Sequence, residues 1–112
     1  MSEACIFCKI ARHEIPASVV WENEQAIAFN DLNPKTKVHV LLIPKVHVES
    51  LATVGDSDAP WLGTLMVNVQ SIAKKLGIVK SGFQVRIRTG HDGGQEVSHL
   101  HIHIMGGEYI SG

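Results

Sequence analysis

His99-Leu100-His101-Ile102-His103-Ile104-Met105 alternates imidazole with aliphatic side chains. Successive side chains of a β-strand point to opposite faces, so this spacing predicts a strand with His99, His101 and His103 on one face and Leu100, Ile102 and Ile104 on the other. The aliphatic face belongs to a core. Histidine is neither a strong strand former nor a cheap charge at neutral pH, so three on one face point to a site rather than a solvated surface. The plainer alternative is a sheet face whose histidines are merely hydrogen-bonded.

Immediately upstream, Gly90 to Gly94 reads as a loop, and before it Phe83, Val85 and Ile87 alternate with Gln84, Arg86 and Arg88, a fourth strand with one apolar face. Further back, Trp61, Leu62, Leu65, Met66, Val69, Ile72, Ala73 and Leu76 make one broad helical stripe. Asp58 is placed to cap that helix, Pro60 suits its first turn, Lys74 and Lys75 favour its C-terminal end, and Gly77 stops it. Residues 49–59 show no sustained period and read as a loop, with room for a helical turn. Val38 to Ile43 is a third strand. Ser18 to Trp21 and Gln25 to Asn30 form a hairpin across Glu22-Asn23-Glu24, and Asp31-Leu32-Asn33-Pro34 is turn chemistry. Cys5 to Ala11 is a short helix that Pro16 prevents from continuing. The sum is one α+β domain over residues 1–112: an antiparallel five-stranded sheet, one long helix and a short N-terminal helix.

At 112 residues and 45% hydrophobic content the core is thin, and dimerisation would help it. Ten basic residues against eleven acidic give a charge of -1, which argues against nucleic acid or an anionic membrane as partner and for a small polar ligand. No apolar run has transmembrane length, and Met1-Ser2-Glu3-Ala4-Cys5 lacks the features of a signal peptide, so the expected location is cytoplasmic. In a reducing compartment the Cys5-Ile6-Phe7-Cys8 spacing reads as a metal or redox pair, or as two small buried hydrophobes.

Gly93-Gly94-Gln95-Glu96-Val97-Ser98 leads into the histidine strand, and glycines there would let backbone N–H groups approach a phosphate. A neutral imidazole can attack phosphorus near pH 7 and hold a covalent intermediate. A second histidine would stabilise charge growing on the phosphoryl oxygens.

The His-x-His-x-His-x-x pattern between Gly93-Gly94-Gln95 and Gly106-Gly107 resembles the histidine triad superfamily, in particular its nucleotide-binding branch. Cys5-Ile6-Phe7-Cys8-Lys9-Ile10, Glu14-Ile15-Pro16, Ala28-Phe29-Asn30-Asp31 and the run from His39 to His47 match in order, so the resemblance covers nearly the whole chain. It implies a homodimer with a continuous sheet across the interface. It also implies an enzyme that hydrolyses purine nucleoside phosphoramidates to AMP or GMP and an amine, without a catalytic cofactor.

By position, His101 resembles the nucleophile, His103 and His39 the histidines flanking the phosphate and leaving group, and the His99 carbonyl the group that orients His101. Asp31 matches the ribose-binding carboxylate, although a turn residue bonding its own backbone is the simpler reading. Ile6, Phe7, Phe29 and Leu32 match the walls of the base pocket, or plain core; Gln95, Glu96 and Val97 match the segment along the phosphate. Arg88 stands where many members have Asn and either clasps a phosphate or faces solvent. Glu96 replaces a serine common in eukaryotic members and would suit a cationic amine. The tail from Glu108 to Gly112 is shorter than in relatives whose tails tune the substrate.

The resemblance also implies a structural zinc site built from Cys5, Cys8, His47 and His99, a closed tetrahedral set. Two other functions compete with hydrolysis at His101. One is a nucleotide-binding regulatory or scaffold protein with vestigial activity; the other is a hydrolase whose strand histidines hold a catalytic metal. His13 and His91 are assigned to the surface.

Overall fold

The chain alternates stretches that suit strands with one long stretch that suits a helix, and a computed structural model, which describes residues 4–112, assembles them in that order. Met1 to Glu3, part of the N-terminus read above as lacking a signal peptide, lie outside the described residues. The elements are α1 (Ile6–Ala11), β1 (Val19–Glu22), β2 (Ala26–Asn30), β3 (Val38–Pro44), α2 (Ala59–Lys75), β4 (Phe83–Arg86) and β5 (Ile102–Gly106). Two single 3-10 turns, Leu51–Thr53 and Asp56–Asp58, occupy the loop before α2. All five strands form one antiparallel sheet in the order β1-β2-β3-β5-β4. Among the described residues no helix is long and apolar enough to cross a membrane.

β3 lies in the middle, buried on both faces, as its Val-Leu-Ile run requires. Val40 and Leu42 pack with Ile102 and Ile104 of β5 against Leu65, Val69, Ile72 and Ala73 of α2. On the opposite face Leu41 and Ile43 pack with Ile27, Phe29 and the α1 residues Phe7, Cys8 and Ile10. The alternation of the histidine stretch therefore does not divide core from solvent. It divides the core under α2 from a second layer under α1, where the histidines are.

Three expectations need correction. The histidine strand is shorter than its pattern suggests, because ladder pairing with β3 ends at Leu42 and Ile102. Continuing that register would set Leu100 against Pro44, which has no N–H to donate, and the Leu100 N–H bonds Val48 instead. Asp58 occupies the position before α2 without capping it: its carboxylate accepts from the Gly55 N–H at 2.8 Å and the Trp61 indole N–H at 2.7 Å. β4 stops at Arg86, and its apolar face is only partly covered. Phe83 and Ile87 join the α2 core while Val85, on the edge strand, is exposed.

The other end of α2 behaves as read. Gly77 takes the left-handed conformation (φ +74°), the Ile78 N–H bonds Ala73 and the Gly77 N–H bonds Lys74. This pair of bonds satisfies carbonyls that the helix end would leave open.

Candidate active site

His39 from β3, His103 from β5 and His101 from the lead-in to β5 meet on the α1 side of the sheet. Their hydrogen bonds fix where each proton sits. The Lys35 main-chain N–H donates to His39 Nδ1 at 3.0 Å, so the His39 proton is on Nε2. That nitrogen is 2.9 Å from His103 Nδ1 and 3.3 Å from Asp31 Oδ2. His103 Nδ1 therefore accepts, and its proton is on Nε2, a buried atom without a hydrogen-bond partner among the described residues. His101 Nδ1 donates to the His99 carbonyl at 2.7 Å. Its Nε2 keeps a free lone pair.

Burial pushes the His103 pKa down to about 4, with repulsion from His101, His39 and Arg88 adding to it. Burial also lowers His39, against the attraction of Asp31. Both rings are neutral at pH 7. The cluster thus offers a nucleophilic nitrogen beside an unpartnered N–H donor, which is what an attack on a phosphoryl group requires. The same bonds disfavour a metal at Asp31, His39 and His103, whose ligand atoms lie within 4.8 Å of one another. Binding at His39 Nε2 would move its proton to Nδ1, against the Lys35 N–H.

A groove of about 270 Å³ adjoins the histidines, and Ile6, Phe7, Phe29, Leu32 and Val97 line it. Phe7 meets Phe29 edge-on at 5.5 Å and His101 at 5.1 Å. Phe7 and Phe29 are core as well as wall, whereas Ile6 is half exposed and Leu32 almost wholly so, forming a lip. Leu41 and Ile15, which lie in the matched stretches but had no pocket role assigned, complete the walls. Asp31 makes the turn bond, with Oδ1 accepting from the Asn33 N–H at 2.9 Å, while Oδ2 faces His39 at 3.3 Å.

The glycine loop behaves differently from expectation. The Gly94 and Gln95 N–H groups bond the carbonyls of His91 and Gly90, so these two are not a phosphate cradle. Gly93 is required because a Cβ there would strike the Thr89 main chain. The Gln95 side chain accepts from Gly90 and donates to Glu49 and Val97; it braces the loop. Glu96 is exposed and borders both the groove and the triad pocket. Arg88 lines the triad pocket with His39, His101 and His103 rather than a solvated strand face. Arg86 pairs with His103 in the ladder but its guanidinium is engaged by Gln84 and Gly112.

Cys5, Cys8, His47 and His99 also meet, their ligand atoms within 4.8 Å of one another. Cys5 Sγ lies 3.3 Å from His99 Nδ1, and Cys8 Sγ lies 3.2 Å from His47 Nδ1 and 3.6 Å from His99 Nδ1. His99 Nε2 donates to the Pro44 carbonyl at 2.8 Å, which leaves Nδ1 unprotonated toward the thiols. Burial holds His99 down at about 4 and raises the Cys8 thiol to about 11. Two thiols and two imidazoles, one already oriented by a carbonyl, fit a tetrahedral zinc ion.

A larger cavity, about 510 Å³, lies elsewhere, between Trp61 and Leu65 of α2 and the Pro44–Val48 segment. The triad side, by contrast, offers the free His101 Nε2 lone pair beside the unpartnered His103 N–H. His13 is paired with Glu22 at 2.7 Å, and exposed His91 lies beside Asp92. Neither reaches the site.

Residues 4–111 match the family described as scavenger mRNA decapping enzyme C-term binding. Protein HitA of Neisseria gonorrhoeae is 54% identical over 91% of this chain and 94% of its own length. The purine nucleoside phosphoramidase of Escherichia coli K12 is 36% identical over 96% of this chain and 90% of its own. A solved histidine triad protein from Clostridium difficile, 43% identical, superposes with a TM-score of 0.96 and covers 100% of this chain and 97% of its own. With the triad geometry above, these likenesses establish that the chain belongs to the histidine triad family of hydrolases.

Proposed function

We propose that the protein hydrolyses purine nucleoside phosphoramidates, releasing AMP or GMP and an amine through a nucleotidyl intermediate on His101. The observation that carries this reading is the 2.7 Å bond from His101 Nδ1 to the His99 carbonyl, because it leaves Nε2 as the attacking lone pair. The base lies in the Phe7–Phe29 groove, Asp31 accepts from the ribose hydroxyls, and His103 Nε2–H donates to a phosphoryl oxygen. A bond forms from His101 Nε2 to phosphorus as the P–N bond breaks. The amine leaves with the bonding pair and a proton from water. A second water attacks phosphorus and loses a proton to the hydroxide that the first water left, the P–Nε2 bond breaks, and its pair returns to the imidazole.

Cys5, Cys8, His47 and His99 hold a structural zinc ion that ties α1 to the segment carrying His101. The donor set and the orientation of His99 support this. The working form is a homodimer, supported by exposed Met66 and Val67 on α2 and Val85 on β4. Two free thiols suit a reducing compartment and support a cytoplasmic location.

The test is AMP release from adenosine 5'-phosphoramidate by the wild type and by His101→Ala, each with and without chelator. Release by the wild type alone, persisting in chelator while the fold persists, is the expected result. AMP binding without turnover would overturn hydrolysis in favour of a nucleotide-binding role.

A further inference from the structure

Arg88 is a cation of the triad pocket whose donors have no use among the described residues. Its guanidinium is part-buried, carries five N–H donors, and makes no hydrogen bond or ion pair among the described residues. It passes over Gly94, where a Cβ would stand 3.6 Å from its Nη1, and its charge is felt at both His39 and His103. Lys35 borders the same pocket.

The pocket holds about 430 Å³ and is continuous with the base groove through Asp31, Glu96, His101 and His103, which line both. A nucleotide with its base in the groove and phosphorus at His101 directs its leaving group into this space. Ammonia needs only about the volume of a water molecule, roughly 30 Å³. The space suits something larger.

The anionic groups nearby do not neutralise Arg88. Asp31 has one oxygen on Asn33 and the other toward His39, and Glu96 is exposed at the rim. The Gly94 and Gln95 N–H groups bond within their own loop, so an anion here is held by side chains.

We infer that Arg88, with Lys35, forms an anion subsite for the leaving group, making the preferred substrate a nucleoside 5'-phosphoryl compound whose leaving group carries its own carboxylate or phosphate. The inference rests on His101 being the nucleophile. For a carboxylate-bearing amine the P–N bond breaks as above. For a phosphate the P–O bond breaks, and the departing phosphate keeps the pair. Arg88 bonds the leaving group in a bidentate fork that its planar geometry favours over a lysine.

The experiment compares kcat/KM for AMP release from three compounds: the glycine conjugate of AMP joined through nitrogen, its glycinamide counterpart, and ADP. Wild type and Arg88→Met are measured with each. A charge-assisted bond predicts wild-type preference for an anionic compound over the glycinamide conjugate of about tenfold or more. That ratio should fall to about one in Arg88→Met. Whether glycine conjugate or ADP leads distinguishes carboxylate from phosphate. Wild-type turnover of the glycinamide conjugate with no preference for either anion overturns the subsite and leaves the His101 reading intact. If the wild type releases AMP from none of the three, nor from adenosine 5'-phosphoramidate, the reading itself fails and the subsite with it.

Discussion

The His99 carbonyl accepts the Nδ1–H of His101 at 2.7 Å, while the ring of the same His99 lies 3.3 Å from Cys5 Sγ. One residue therefore fixes the tautomer of His101 with its main chain and joins the cysteine cluster with its side chain. A disturbance at the cysteines reaches His101 through a single peptide unit.

His101→Ala removes the only ring nitrogen placed for attack by this network. We expect the variant to fold, bind AMP, and lose turnover by at least about 10³-fold, the scale at which removing a nucleophile is felt. Calorimetric AMP binding alongside single-turnover kinetics checks it. Activity near wild type would remove His101 from the nucleophile's place.

Cys8→Ser takes one thiol from a four-ligand set and leaves the triad unaltered. The expected outcome is a fall from about one zinc per chain to far less, a lower melting temperature, and an activity loss of about 10- to 100-fold, the range for disturbing a metal's supporting groups. Metal analysis and thermal melts read the first two effects and steady-state kinetics the third. A variant that keeps full zinc content contradicts the site.

His103, held at about 4 by burial, and His39, lowered for the same reason, make stability fall with acid. The unfolded chain takes up protons at these histidines as pH drops through about 6.5, their ordinary value, whereas the folded chain takes them up only at lower pH, for His103 not until about 4. Their effect is absent above that window and grows as pH falls through it. Urea midpoints between pH 7.5 and 5 should decline for the wild type and decline less for His103→Asn. Equal slopes would show that His103 is not buried neutral.

The order of elements was legible in the sequence because each announces itself locally, through the period of α2, the glycine that ends it, and the aliphatic run of β3. The Cys-x-x-Cys pair and the histidine alternation were equally visible. Their meeting was not local, since Cys5 and His99 lie 94 positions apart, and it was read through resemblance. What escaped the sequence are main-chain roles, which carry no residue signature: the Lys35 N–H on His39, the Pro44 carbonyl on His99, and the Gly94 N–H held by His91. Arg88 was ambiguous for another reason. Alternation gives a strand residue its face but not what lies over it, and here the glycine loop folds across that face.

The same chemical change at two glycines should shift stability in opposite directions. Gly63 lies inside α2 with nothing within 4 Å of an added Cβ, so Gly63→Ala gains helix propensity without a clash, worth about 0.8–1 kcal/mol. Gly77 is equally open, but its φ is +74°, where an L side chain costs about 1–2 kcal/mol. With space equal at both, backbone conformation alone sets the sign. Gly63→Ala should raise the urea midpoint and Gly77→Ala lower it, with unchanged slopes. A stabilising Gly77→Ala would mean that α2 does not end in the left-handed turn that delivers the chain to β4.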